Sequence, residues 1–329
     1  MRYSVLRYLA LLFAASMLTG AARAADGDAD VCRMPGDSDR RIAACTRLTG
    51  DNGLPADMRA LALTSRGLAH EAKGDVKGAM ADYDEAIRLD PRSANARLFR
   101  SSLFRNAGDH DRAIEDLSEA IRIDPTVALF YTRRGLSYDA KHDYERAIAD
   151  FTESLRLNPG NIDAIWGRGQ ANAYAGYMGR AIADYSDAIR IEPHAPRGYG
   201  ARAQVYQSQG DHDLAIADFN EFLRLNPAGS SGFYARGNSY REKGNLERAI
   251  ADYTEAIRLD PRFSFAYHDR GVAYRIKGDR EHAISDFHQA VRLSPATAGP
   301  SLQALQSLGV GEPKKEPGAL KRGVLDLLK

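Results

Sequence analysis

The sequence predicts an all-α solenoid of antiparallel helix pairs, and three observations carry that prediction. Pro91, Pro125, Pro159, Pro193, Pro227, Pro261 and Pro295 stand 34 residues apart without a slip. In the frame they define, small and bulky residues return at constant places, and a glycine falls in the middle of most copies. A period this strict repeats one supersecondary element, and a lone helix pair cannot bury its apolar face, so the copies must stack.

The chain opens with a segment that reads apart from the repeats. Arg2 and Arg7 precede an apolar run from Tyr8 to Leu18, and Ala22-Arg23-Ala24 offers a small-x-small cleavage site. We expect a secretory signal peptide over residues 1–24, cut after Ala24, and a periplasmic or extracellular location. The apolar run is too short to span a bilayer, though a retained anchor is the alternative. A lipid anchor does not fit, because Ala21 stands where a lipidated cysteine is needed. Removing the leader takes away three arginines and no acid, which moves the net charge from +1 to −2.

Residues 25–59 read as a degenerate N-terminal cap. The stretch Arg41-Ile42-Ala43-Ala44-Cys45-Thr46-Arg47-Leu48 copies the second-helix pattern of the later repeats, with Cys45 where those place Tyr or Phe. Cys32 and Cys45 are the only cysteines, and in an oxidising compartment such a pair is most simply a disulfide. Closing a loop of that size contributes roughly 3 kcal/mol in the chain-entropy model. A redox-active or metal-binding pair is the alternative, with no histidine cluster to support it.

Seven repeats follow, over 60–93, 94–127, 128–161, 162–195, 196–229, 230–263 and 264–297. Their eighth position is usually Gly (Gly67, Gly135, Gly169, Gly237, Gly271). The twentieth is always Ala, the twenty-fourth is bulky (Tyr83, Leu117, Phe151, Tyr185, Phe219, Tyr253, Phe287) and the twenty-seventh is mostly Ala. Small residues at this spacing let two helices approach while the bulky side chain fills the gap between them. Gly74, Gly108, Gly176, Gly210, Gly244 and Gly278 suit the left-handed residue that ends the first helix, and the prolines end the second. After Pro295 the register fails. Residues 298–309 read as a C-terminal capping helix. Residues 310–329 read as a linker and a short basic amphipathic helix, a packing tail or a docking peptide.

This pattern, best seen in GNSYREKGNLERAIADYTEAIRLDP ending at Pro261, resembles the tetratricopeptide repeat (TPR) family. The resemblance implies a right-handed superhelical solenoid whose first helices line a concave groove. It also implies a scaffold that binds proteins or peptides. Fold and function remain separate inferences.

Residue types constant across all copies serve what the copies share. Arg holds the seventh position and Asp the twenty-third throughout, and we expect these ladders to pair within or between repeats, at ~0–1 kcal/mol per exposed pair. Residues that vary are candidates for recognition. Positions two, five, nine, twelve and thirteen should face the groove. The first three repeats supply mainly Leu61, Leu68, Leu98, Leu129 and Leu136 there. Later repeats supply Trp166, Gln170 and Tyr174, then Gln204, then Tyr234, Asn238 and Arg241, then His268 and Arg275. Aromatic, Arg and amide side chains of this kind suit peptide recognition. Trp166 has interhelical core as its alternative place. Gly200 either leaves room for a ligand or relieves crowding, and Phe222 with Ala228-Gly229-Ser230-Ser231-Gly232 marks an expected looser junction between repeats five and six. A carboxylate clamp is disfavoured, since fifth positions lack Lys and only Asn238 fits at the ninth.

Other function classes find little support. The charged fraction of 27% is balanced, and no face accumulates Lys and Arg without acids, so no nucleic-acid partner is expected. The eight histidines are scattered, and no phosphate loop, nucleophile elbow or metalloprotease motif appears. We therefore expect no catalysis, cofactor or metal. The leading expectation is an exported scaffold holding a partner protein or extended peptide. Self-assembly into an envelope structure, or attachment to a membrane surface through residues 318–329, are the alternatives.

Overall fold

The computed structural model describes residues 22–310 except 35 and 52, and every regular element among them is helical. Most of the expected leader, and the expected basic helix at 318–329, lie outside the described residues. No helix among the described residues is long and apolar enough to cross a membrane. The chain divides into two compact halves, Met1–Tyr177 and Met178–Lys329, and the division falls inside the fourth repeat.

The first half starts with α1 (Ala22–Arg33) and α2 (Ser38–Gly50). A disulfide joins Cys32 to Cys45, and both cysteines are buried with Ala44, Leu48 and Ala62. The pairs α3/α4 (Ala56–Ala72, Val76–Leu89), α5/α6 (Ala94–Asn106, His110–Ile123) and α7/α8 (Ala128–Ala140, Tyr144–Leu157) follow, then α9 (Ile162–Tyr174). The second half starts with α10 (Met178–Ile191). It continues as α11/α12 (Pro196–Gln209, His212–Leu225), α13/α14 (Ser230–Glu242, Leu246–Leu259) and α15/α16 (Ser264–Ile276, Arg280–Leu293). A short 3₁₀ turn (Pro295–Thr297) leads into α17 (Gly299–Ser307), whose Ala304 and Leu305 pack on Phe287 and Ala283.

Local sequence explains these boundaries. Second helices begin at Asp75, Asp109, Asp143, Asn245 and Asp279, whose side chains accept from backbone N–H groups three residues on. First helices end on a left-handed glycine, with φ of 76° to 84° from Gly74 to Gly278. In the third repeat His142 takes that place at φ 60°. The bulky twenty-fourth residues are buried, and a Cβ on Gly67 would lie 2.5 Å from the Tyr83 ring, so the eighth position has to be small there.

The Arg and Asp ladders do pair, and with more burial than an exposed pair has. Arg66, Arg100, Arg134, Arg202, Arg236 and Arg270 bind Asp82, Asp116, Asp150, Asp218, Asp252 and Asp286 of the same repeat at 2.6–2.8 Å. The aspartates are buried. Each guanidinium also reaches at least one residue of the preceding second helix within its half, such as Ser118 from Arg134 and Asn220 from Arg236. One arginine thus closes its own pair and fixes its register on the repeat before. Lys141 with Asp111, and Lys243 with Asp213, add a second contact between repeats. The i, i+3 pairs Glu119–Arg122, Glu153–Arg156 and Glu255–Arg258 lie on exposed second-helix surface.

Candidate functional site

Within each half, first helices of consecutive repeats lie side by side for α3 with α5, α7 with α9, α11 with α13 and α13 with α15, so varying positions of neighbouring repeats meet there. The fifth position is less of a surface than the sequence reading expects. Thr64, Leu98, Thr132, Trp166 and Gly200 are all buried, and only Tyr234 and His268 are half-exposed. Trp166, at 8% exposure, is withdrawn from contact with a partner. The physical reason is common to the position, which points toward packing neighbours rather than solvent. Gln170 and Tyr174 on the same helix are exposed, and Tyr174 stacks on Tyr144 at 5.5 Å.

In the second half, Gly200 and Gly232 explain each other through Phe222. A Cβ on either would lie within 3.0 Å of the Phe222 ring. Phe222 occupies a position that other repeats mostly give to Ala, so the glycines make way for its bulk. The departures expected to loosen this junction therefore compensate one another. Above the ring a pocket of about 370 Å³ opens between α11 and α13. Gly200, Gln204, Phe219, Phe222 and Ala235 line it, with Arg197 and Ser231 also contributing. Gln204 is exposed there, while Gln207, one turn on, donates to the Ala235 carbonyl and Ser239 at 3.0 Å.

The remaining predicted contact residues are brought together, but largely by bonds within the chain. Tyr234 donates to Asp269 at 2.6 Å, and Arg241 binds the other oxygen of the same carboxylate at 2.6 Å. Asn238 accepts from Tyr253 at 2.7 Å. Burial, followed by the bond to Asp269, pushes the Tyr234 hydroxyl up to about 12. Burial opposes charge on Arg241, yet Tyr253, Asp269 and Glu242 hold its pKa above the ordinary guanidinium value. His268 lies 2.8 Å from Ser301 of α17, and burial lowers its pKa. Arg275, although exposed, reaches Ser307 at 3.4 Å. His268 and Arg275 therefore hold the C-terminal helix.

Sequence reasoning missed Asp269. It stands at the sixth position, outside the expected surface set, yet it anchors Tyr234 and Arg241. The 28-residue offset between Arg241 and Asp269 is the signal that finds it. The twelfth residue of one repeat meets the sixth of the next, as Gln207 and Ala235 also show. No group of three or more His, Cys, Asp or Glu that could hold a metal occurs among the described residues. In the second half the candidate surface combines amide, aromatic and guanidinium groups with an apolar pocket.

Comparison with known proteins fits this geometry. Tetratricopeptide repeat models match residues 43–94, 64–128, 200–264 and 234–298, and another of the same family matches 128–161. A tetratricopeptide repeat protein from Parabacteroides merdae is 19% identical, with a TM-score of 0.56 over 76% of this chain and 96% of its own. PilW, a type IV pilus biogenesis factor, is 18% identical, with a TM-score of 0.55 over 63% of this chain and 96% of its own. The APC/C assembly Cut9–Hcn1 contains a chain 14% identical, with a TM-score of 0.52 over 85% of this chain and 62% of its own. At such identities the likeness concerns the fold alone, and no curated protein matches the chain. The family models cover more than half of the sequence, and with them the chain belongs to the tetratricopeptide repeat family.

Proposed function

We propose that this protein is an exported, non-catalytic scaffold that binds a partner protein or extended peptide along its first helices. The family commonly binds proteins or peptides, and the surface here has the chemistry for it. The observation that carries the reading is the pocket between α11 and α13. It offers an aromatic floor in Phe222 and Phe219, a glycine-lowered wall, and Gln204 at hand to bond a peptide backbone. Such a pocket takes one apolar side chain of a bound segment, the usual anchor of an interface. In the first half, α9 carries its own exposed amide and aromatic groups in Gln170 and Tyr174.

Export is supported by the leader pattern and by a buried disulfide, which suits an oxidising compartment. Mass spectrometry of the mature chain is expected to find Ala25 at its N-terminus. A photocrosslinker at Gln204 is expected to capture a defined partner that the same probe at Ala217, on exposed second-helix surface, does not. Equal capture at both positions would remove the pocket as the contact.

A further inference from the structure

The twelfth-to-sixth contact between consecutive repeats contains one pair that does not balance. In repeats six and seven it joins Arg241 to Asp269. The same two positions in repeats two and three hold Arg105 and Arg133, again 28 residues apart. Both arginines are half-buried, on α5 and α7. Among the described residues neither side chain makes a hydrogen bond or ion pair, in a chain whose other first-helix arginines mostly do. Glu71 and Asp139, at the twelfth positions of repeats one and three, do not neutralise them. Glu71 accepts from Tyr83, and Asp139 stands in register with Gly167 of the next repeat and keeps one carboxylate oxygen unpartnered.

We infer that Arg105 and Arg133 form a binding site for an acidic side chain of an extended partner peptide. A carboxylate placed between them gives Arg105 the counter-charge that Asp269 gives Arg241. Two guanidinium forks then receive it with charge-assisted hydrogen bonds. Burial, and secondarily the charge of Arg133, holds the pKa of Arg105 below the ordinary guanidinium value, as expected of a cation that lacks its counter-charge. The positions differ from those of a carboxylate clamp, which uses the fifth and ninth, so the site selects an internal Asp or Glu and not a chain terminus. The tail of this chain is no candidate occupant, because Lys314, Lys315, Lys321, Arg322 and Lys329 outnumber its acids. This site rests on the scaffold reading above and names the charge that the partner carries.

The test uses the mature full-length chain and an acetylated, amidated peptide of alternating Glu and Ala. A Gln–Ala peptide and inorganic phosphate serve as comparison probes. NMR of the arginine Nε–Hε groups is expected to show Arg105 and Arg133 shifting with the Glu peptide and not with the Gln peptide. Arg133→Asp copies the Arg241–Asp269 pair into the first half. It is expected to raise the melting temperature while weakening the Glu peptide about ten- to hundredfold, the loss of charge-assisted hydrogen bonds. Arg105→Gln with Arg133→Gln should weaken it equally without a new ion pair, which covers the case in which Arg133→Asp disturbs folding. Undiminished peptide binding in both variants would overturn the site, as would shifts with phosphate alone. If peptide binding is lost in the variants while the Gln204 crosslink fails in wild type, the cation site stands and the pocket reading falls. A crosslink that persists while peptide binding is insensitive to the variants gives the reverse.

Discussion

The two halves fill the same pair of repeat positions, the twelfth of one repeat and the sixth of the next, with opposite logic. Arg241 and Asp269 neutralise each other, and the carboxylate also receives Tyr234. Arg105 and Arg133 confront each other with like charge. The contact itself is a property of the repeat, because the 34-residue period sets which residues meet. What sits there is free to vary, and so the difference reports on use. A satisfied pair holds α13 to α15, whereas an unsatisfied pair retains charge for something outside the chain.

That reading first requires that the constant ladder be equal in both halves. Arg134→Ala strands buried Asp150 in the first half, and Arg202→Ala strands buried Asp218 in the second. Each loss is expected to cost about 3–5 kcal/mol, the cost of leaving a buried carboxylate unpaired. Chemical denaturation measures both, and unequal losses would mean that the halves differ in more than their variable residues. The variable pair should then separate them. Arg241→Ala deprives Asp269 of its cation and is expected to cost about 2–3 kcal/mol. Arg105→Ala removes like-charge repulsion and should stay within about 0.5 kcal/mol or stabilise. Comparable losses at the two arginines would show that Arg105 has a partner in the chain after all.

How much of this was legible in the sequence depends on whether a feature repeats. The helix pairs, the Arg and Asp ladders and the small-against-bulky packing follow from the period, because each copy confirms the others. The disulfide between Cys32 and Cys45 was readable from the cysteine count and the expected leader. The sequence leaves Trp166 between groove and interhelical core, since a fifth-position residue sits at the edge of the helix stripe and its burial depends on what packs beside it. His268 and Arg275 were read as open surface because α17 follows the last repeat out of register, so periodicity says nothing of what it covers. Gly200 was ambiguous alone and became clear only against Phe222, a partner 22 residues away on another helix.

The Tyr234–Asp269–Arg241 group also carries a pH signature in the alkaline range. Tyr234 has its pKa raised to about 12 in the folded chain, first by burial and then by its bond to Asp269. An unfolded tyrosine ionises near pH 10. Stability from this group is therefore complete below pH 10 and falls as pH rises toward 12, because the unfolded state loses its proton first. Tyr253 shifts in the same direction, again chiefly through burial. Tyr234→Phe should flatten the alkaline limb of a stability–pH curve, and an unchanged limb would show that burial and the bond to Asp269 do not raise the hydroxyl's pKa.

The smallest expected effect lies at a turn that sets the third repeat apart from the others. Gly210, Gly244 and Gly278 end first helices of the second half in the left-handed region, at no steric cost. In the first half His142 is forced into the same region at φ 60°, where a Cβ crowds the following carbonyl at about 1–2 kcal/mol. Its ring recovers part of this through contact with Tyr144, whose hydroxyl lies 2.9 Å from Nδ1. Glycine relieves the strain but loses that contact and gains freedom in the unfolded chain, a cost of about 0.5–1 kcal/mol. His142→Gly should therefore stabilise by no more than about 1 kcal/mol. Urea denaturation decides the sign. A clear loss of stability would mean that the His142–Tyr144 contact outweighs the strain. The aromatic group of His142, Tyr144 and Tyr174 would then be a structural cluster in its own right.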